Sequence, residues 1–280
     1  MAPIRLRLAR GAQCLAACAI CLPAIDAHAG PPVPDGQWHF AITPYLWLPT
    51  INTRLTFNLP PDQGSTIDNQ LGPQNLDFAL LLSGEARLDN WAIFGDFIYL
   101  DLSSSGSRVT SVGGRDDVIS IPRDRNVGTQ SDLKGYTALL AGSYTVVRSE
   151  AALFDALIGV RLLHPQVAMD WSLDSSVAGT DFTLQRTGHV AASETLVDGV
   201  VGARGRAWFG DGGRWFVSYY ADVGAGDSTL TWQAFAGLGY TWNWGEGLVG
   251  YRYLSSDQSS GKLVQDMSFK GPLVGASWRF

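Results

Sequence analysis

Few side chains in this sequence have the types and spacing that chemistry needs. A hydrolytic centre would show a G-x-S-x-G, H-E-x-x-H or paired-His arrangement. His39, His164 and His189 are the histidines beyond residue 29, and none lies in such a setting. Each reads as a surface or interface residue. Gly237-Leu238-Gly239 lies inside a strand-like run, so it reads as sheet curvature and not as a phosphate cradle. The charged residues say more. Glu85, Arg87, Asp96, Arg161, Asp198, Arg204, Arg206, Asp222, Arg252 and Arg279 interrupt apolar stretches and are interleaved with Gly159, Gly202, Gly237, Gly239 and Gly275. Charges kept from water need partners, and a guanidinium fork suits bidentate pairing with a carboxylate. This set supports an Arg–carboxylate network in a confined space, with glycines leaving room for the guanidiniums. Such a network is either a selective polar path or an interlocked plug, and a narrow enclosure favours the plug.

The elements that carry these charges alternate with a period of two, as half-buried strands do. Over Ser228–Trp242 one face is Leu230, Trp232, Ala234, Ala236, Leu238, Tyr240 and Trp242. Over Arg214–Ala225 it is Trp215, Val217, Tyr219, Ala221 and Val223, and over Leu248–Ser255 it is Val249, Tyr251 and Tyr253. The charges fall on the opposite face. Aromatic residues gather at strand ends, as at Trp91, Trp215, Trp242, Trp278 and Phe280. Phe78–Leu88 and Trp91–Leu102 flank Asp89-Asn90, a two-residue hairpin signal. In the last strand Phe280, Trp278, Ala276 and Val274 share the apolar face, with Arg279 opposite. Gly275, Trp278 and Phe280 read as a terminal assembly signal.

The start of the chain has a different character. Arg5, Arg7 and Arg10 precede an apolar run from Cys14 to Ile25, and Ala27-His28-Ala29 follows. This reads as a secretory signal peptide over residues 1–29, cleaved after Ala29 through an A-x-A site at Ala27 and Ala29. A lipobox ending at Cys18 ranks second, because it leaves too short an apolar core. All three cysteines lie in this segment, so the remainder has neither thiol chemistry nor disulfides. The balance is 20 Lys+Arg to 26 Asp+Glu. Without Arg5, Arg7, Arg10 and Asp26 it is 17 to 25. An acidic chain is a poor nucleic-acid binder. No cofactor or metal is expected.

Exported, free of cysteine and rich in glycine and tryptophan, with strands of about ten residues, the chain fits a transmembrane β-barrel. A soluble β-sandwich would alternate too, but the strand lengths, polar loops and aromatic ends favour the barrel. Residues 30–37 are expected to be a disordered periplasmic lead, and 38–280 the barrel. Trp38–Phe57 reads as one long strand that bends at Pro44 or Pro49. Pro60–Asp77 reads as an external loop, with a short helix or plug near 62–75 capped by Ser65. Short turns alternate with longer connections, and this parity favours ten antiparallel strands, with eight or twelve as alternatives. Residues 104–130 form the largest external loop, and 173–185 a second polar connection. Arg115-Asp116-Asp117 and Arg123-Asp124-Arg125 could bind Ca²⁺ or lipopolysaccharide, but read as solvated loop.

Four stretches carry a resemblance: Pro44-Tyr45-Leu46-Trp47, Gly95-Asp96-Phe97-Ile98-Tyr99-Leu100, Val201-Gly202-Ala203-Arg204-Gly205-Arg206, and Gly250-Tyr251-Arg252-Tyr253. They resemble the small outer-membrane β-barrel proteins of Gram-negative bacteria, in the broad OmpW/OmpA-barrel group. More narrowly, they resemble an uncharacterised proteobacterial family. The resemblance implies a barrel and an outer-membrane address, and no particular activity. The function expected is a monomeric structural barrel, or a porin-like small-solute channel with a narrow charge-lined lumen. Its partners would be outer-membrane lipid, lipopolysaccharide and the barrel-assembly machinery. The alternatives are a lipid- or peptide-modifying barrel enzyme, and an adhesin or receptor acting through the 104–130 loop.

Overall fold

The computed structural model describes residues 30–59, 63–105, 127–176, 183–258 and 264–280. The signal segment and most of the 104–130 loop lie outside them. In chain order the strands are β1 (Trp38–Trp47), β2 (Thr50–Leu59), β3 (Gln63–Leu71), β4 (Leu76–Leu88), β5 (Trp91–Ser105), β6 (Val127–Arg148) and β7 (Ala152–Ser176). Then follow β8 (Thr183–Ser193), β9 (Leu196–Phe209), β10 (Trp215–Gly226), β11 (Leu230–Trp242), β12 (Gly245–Asp257) and β13 (Val264–Arg279).

These strands close an antiparallel barrel in the order β1-β4-β5-β6-β7-β9-β10-β11-β12-β13, with β13 returning to β1. Ten positions form the ring, as turn parity had indicated. The closing seam is held by reciprocal backbone bonds between Phe40 and Phe280, 2.7 and 2.9 Å. Two strands are interrupted and run on past the ring. The lower part of β13 pairs with β1 and its upper part with β2. The two halves of this position are thus one strand broken at Leu48–Pro49. Proline has no N–H for the ladder, and Trp47 Nε1–H donates instead to Gly271 O at 3.2 Å. On the far side, β7 pairs with β9 below and β8 above.

Of the 62–75 segment, the described residues 63–75 are not a helix or a plug. Gln63–Leu71 pairs with β2 across nine register positions as a hairpin. The helical content there is the single 3-10 turn Pro73–Asn75. The β-branched residues and the alternation in Ser-Thr-Ile-Asp-Asn suit a strand once β2 supplies a partner edge. The polar stretch at 173–185 likewise begins and ends in strand, as the tips of β7 and β8.

Short connections lie at one end. Asp89 takes φ 50° in the β4–β5 turn, and Gly212 and Gly213 take 67° and 63° in the β9–β10 turn. These left-handed values are the ones tight hairpin turns require. The lead also lies at this end and is docked. Arg148 donates to Pro32 O and Asp89 O, both at 2.7 Å, and Gly36 N–H donates to Asp89 Oδ1 at 3.0 Å. The expected disorder of residues 30–37 is therefore not observed, because Arg148 ties the lead to a turn.

The barrel exterior is apolar. Ile93, Leu140, Ile158, Val160, Val201, Leu238, Val249 and Val274 all point outward and are exposed. An aromatic arc marks the short-turn rim. Trp215–Tyr240, Tyr240–Trp242, Trp242–Trp244 and Trp244–Trp278 have ring centroids 5.0–6.2 Å apart. Phe280–Phe40 and Phe40–Trp38 continue it at 5.9 and 6.3 Å. Such a belt between girdles of rings is the exterior a bilayer requires, and in water it would be an unsatisfied surface.

Candidate functional site

The interior is stacked in two zones. In the inner half, towards the short turns, charged and hydroxylic inward residues are interleaved with two small apolar clusters, one around Phe94, Leu139 and Val200 and one around Leu153, Trp208 and Phe216. Arg87 is the hub of one group. It donates to Glu85 at 3.0 Å, Thr145 at 2.9 Å and Asp155 at 2.5 Å. Thr145 donates in turn to Asp155 at 2.7 Å, and Arg204 joins through Glu85 at 2.7 Å and Ser143 at 3.0 Å. Arg204 also lies over the Phe94 ring, 4.0 Å from its centroid. A second group is a triad in which Arg206 and Arg279 share Glu246, at 2.6 and 3.2 Å.

The third group lies near mid-barrel. Arg252 donates to Asp96 at 2.6 Å, Tyr45 Oη at 2.9 Å and Gln233 Oε1 at 2.9 Å. Tyr45 Oη–H donates to Asp96 at 2.7 Å. Arg161 pairs with Asp222 and donates to Thr231 Oγ1 at 3.1 Å, and Tyr220 Oη–H also donates to Asp222. Gln233 accepts from both Arg252 and Arg161, which links the two pairs. Charge-assisted bonds of this kind hold such groups away from water without leaving a charge bare.

Above these groups the interior changes. Trp47, Ile51, Ile98, Leu100, Leu102, Leu133, Leu163, Val167, Leu196, Leu254, Met267 and Phe269 pack together across the outer half. Arg252 caps this core, 5.2 Å from the Trp47 ring centroid. Buried hydroxyls, Ser228, Thr231, Ser255 and Ser256, complete the filling beside it. The described residues thus leave the outer half of the lumen packed, whereas the inner half encloses a cavity of about 260 Å³.

Nine of the ten charged positions singled out in the sequence take part in this network. Asp198 does not. Its register partner is Arg161, but its carboxylate is taken by the Ser228 N–H and Oγ–H, both at 2.8 Å. The β10–β11 turn, not the network, uses this acid. Two members were missed. Asp155 shares its face with Arg161, so period-two reading could have found it. Glu246 precedes the run read as strand from Leu248, whereas β12 begins at Gly245 and turns it inward. The glycines have another reason than the expected one. A Cβ at Gly202 would meet Ala221 O at 2.1 Å, and one at Gly239 would meet the Phe216 ring at 2.1 Å. They admit backbone and a ring, not guanidiniums.

The histidines are partnered and lie outside the network. His39 Nε2 is 3.1 Å from Asp35, and His164 Nδ1 is 2.7 Å from Thr195 Oγ1. His189 Nδ1 is 2.6 Å from Asp170 Oδ1 on the β7–β8 extension, with both side chains exposed. Among the described residues no group of three His, Asp or Glu side chains could hold a metal ion. Gly275 and Trp278 lie in β13, and Phe280 completes the seam; Ala27 and Ala29 lie outside the described residues.

No protein-family model and no curated protein matches the chain. Solved structures do. The outer-membrane protease OmpT from Escherichia coli is 9% identical, with a TM-score of 0.53 over 88% of this chain and 98% of that one. Ail of Yersinia pestis, in complex with the heparin analogue sucrose octasulfate, is 12% identical with a TM-score of 0.34 over 87% and 99%. The Pseudomonas putida toluene transporter TodX is 11% identical with a TM-score of 0.30 over 89% and 91%. The likeness to OmpT, at 9% identity, shows the fold alone. The fold is that of the Gram-negative outer-membrane β-barrels, without narrowing to the OmpW branch. A closed ten-strand barrel of that class with a lipid-facing belt is an outer-membrane protein.

Proposed function

We propose that this protein is a closed, structural outer-membrane barrel whose polar interior opens towards the periplasm and is sealed towards the outside. The observation that carries this reading is the apolar core filling the outer half of the lumen. A ten-strand barrel has little interior to spare beyond its own side chains. Ion pairs across the inner half would brace the wall, in place of the disulfides the chain lacks after residue 29. The partners in this reading are outer-membrane lipid, lipopolysaccharide and the barrel-assembly machinery, and the polypeptide begins at Gly30 after cleavage. The purified barrel in planar bilayers should give no conductance steps; discrete steps would overturn the closed reading in favour of a channel.

A second reading, an enzyme that modifies lipid or peptide at the external rim, has one observation in its favour. His189 and Asp170 form an exposed imidazole–carboxylate pair beyond the membrane ring, the kind of pairing that orients a general base. OmpT is a protease, but its likeness to this chain extends to the fold alone. Whole cells displaying the barrel should hydrolyse peptide or lipid substrates no faster than cells displaying the His189→Ala variant; a difference would favour the enzyme.

A further inference from the structure

The charge lining the cavity of the inner half is not balanced. Five guanidiniums line it, those of Arg87, Arg204, Arg206, Arg252 and Arg279, with three carboxylates, Glu85, Asp96 and Asp155. Glu246 lies behind Arg206 and Arg279 and is the fourth acid in reach. One positive charge is left over. The surplus falls on the Arg206–Arg279 pair, where two cations divide one carboxylate. These two side chains are also the most open of the lumen arginines, at 22% and 30% exposure, against 5% for Arg87 and 7% for Arg252. Each guanidinium carries five N–H donors in a fixed fork, and Glu246 occupies only a fraction of the ten. Thr43 and Ser277, bonded to each other at 2.8 Å, add hydroxyls to the same wall. The outer end is packed shut, and Pro32 and His39 stand at the inner mouth.

We propose that this vestibule is a binding site for a small oxyanion, a carboxylate or phosphate group on a solute that enters from the periplasm. Arg206 and Arg279 receive it, and Glu246 holds the two forks in place. At about 260 Å³ the space lies below the volume of ordinary drug-sized ligand sites, which suits inorganic phosphate or a short dicarboxylic acid and excludes an oligosaccharide. The inference uses the closed-barrel reading only for the direction of entry.

The test is titration calorimetry of the full barrel in detergent with inorganic phosphate and, separately, with succinate, against sodium chloride at equal ionic strength. Saturable binding of at least one anion is expected, and which one saturates identifies the group. Affinity should fall by roughly tenfold or more in Arg279→Gln, as loss of charge-assisted bonds does, and fall less in Arg279→Lys, which keeps the charge but not the fork. Lys134→Gln, in the outer half of β6 and facing away from the lumen, should leave it unchanged. The heat-shifted gel band confirms that each variant is folded, and Arg279→Lys is read alone if Arg279→Gln is not. No saturation by either anion, or equal affinity in the Arg279 variants, overturns the proposal. A barrel that conducts and still binds defeats the closed reading alone; a silent barrel that binds neither anion defeats this one alone.

Discussion

Asp155 is the residue on which the interior's energetics turn. It is 1% exposed and receives bonds from both Arg87 and Thr145. Removing it leaves Arg87 and Arg204 to share Glu85, and truncating one partner of a buried pair costs up to about 3–5 kcal/mol. Asp155→Ala should therefore lower the unfolding free energy in detergent by up to that amount, measured by urea titration. At the mouth, the Asp35 carboxyl is held below the usual carboxylate range, first by the Gln37 N–H and then by His39. A depressed folded pKa means a contribution present above the unfolded value and lost as the pH falls through the folded one. The Gln37 amide should thus exchange faster as the pH falls below about 4, measured against the intrinsic rate, and the Asp35→Asn variant should show no such step. At this scale the sequence was informative because period two separates lumen from lipid. It failed at Asp198, where the Ser228 donors arrive from a turn thirty residues away, and no local pattern announces them.

Among the elements, ten ring positions and the β4–β5 hairpin were legible from turn chemistry and parity. The continuation of strands beyond the ring was not. Gln63–Leu71 looked like loop because its sequence is polar, and β2 supplies its edge only in three dimensions. The backbones come close where the broken first strand meets β13. A Cβ at Gly271 would lie 2.1 Å from Leu48 O and 2.9 Å from Pro49 Cα, both backbone. Gly271→Val should cost roughly 1–3 kcal/mol, the usual penalty of overpacking. Gly142, whose Cβ would meet nothing within 4 Å, should accept alanine within about 0.5 kcal/mol. The temperature at which the folded gel band disappears compares the two, and equal shifts would contradict the assignment of strain to the joint.

For the molecule as a whole, the described residues make a two-zone interior, a cavity below an apolar core. Leu254, Met267 and Phe269 are three of the four residues that β12 and β13 contribute to the apolar core, Leu273 being the fourth. On the closed reading proposed above, replacing the first three by glycine should open a path outward and raise conductance above that of the parent barrel; no increase would mean that the remaining core closes over the gap. The exterior repeats this asymmetry, with its longest aromatic arc at the short-turn rim. Above the opposite rim the wall continues. β7 has 25 residues and β6 has 22. At about 3.3 Å per residue and a tilt of about 40°, β7 rises roughly 60 Å along the axis, about twice the hydrocarbon thickness. Among the described residues, the part that stands farthest above the ring is therefore a hydrogen-bonded palisade, and antibody epitopes on it should vanish when the barrel is boiled.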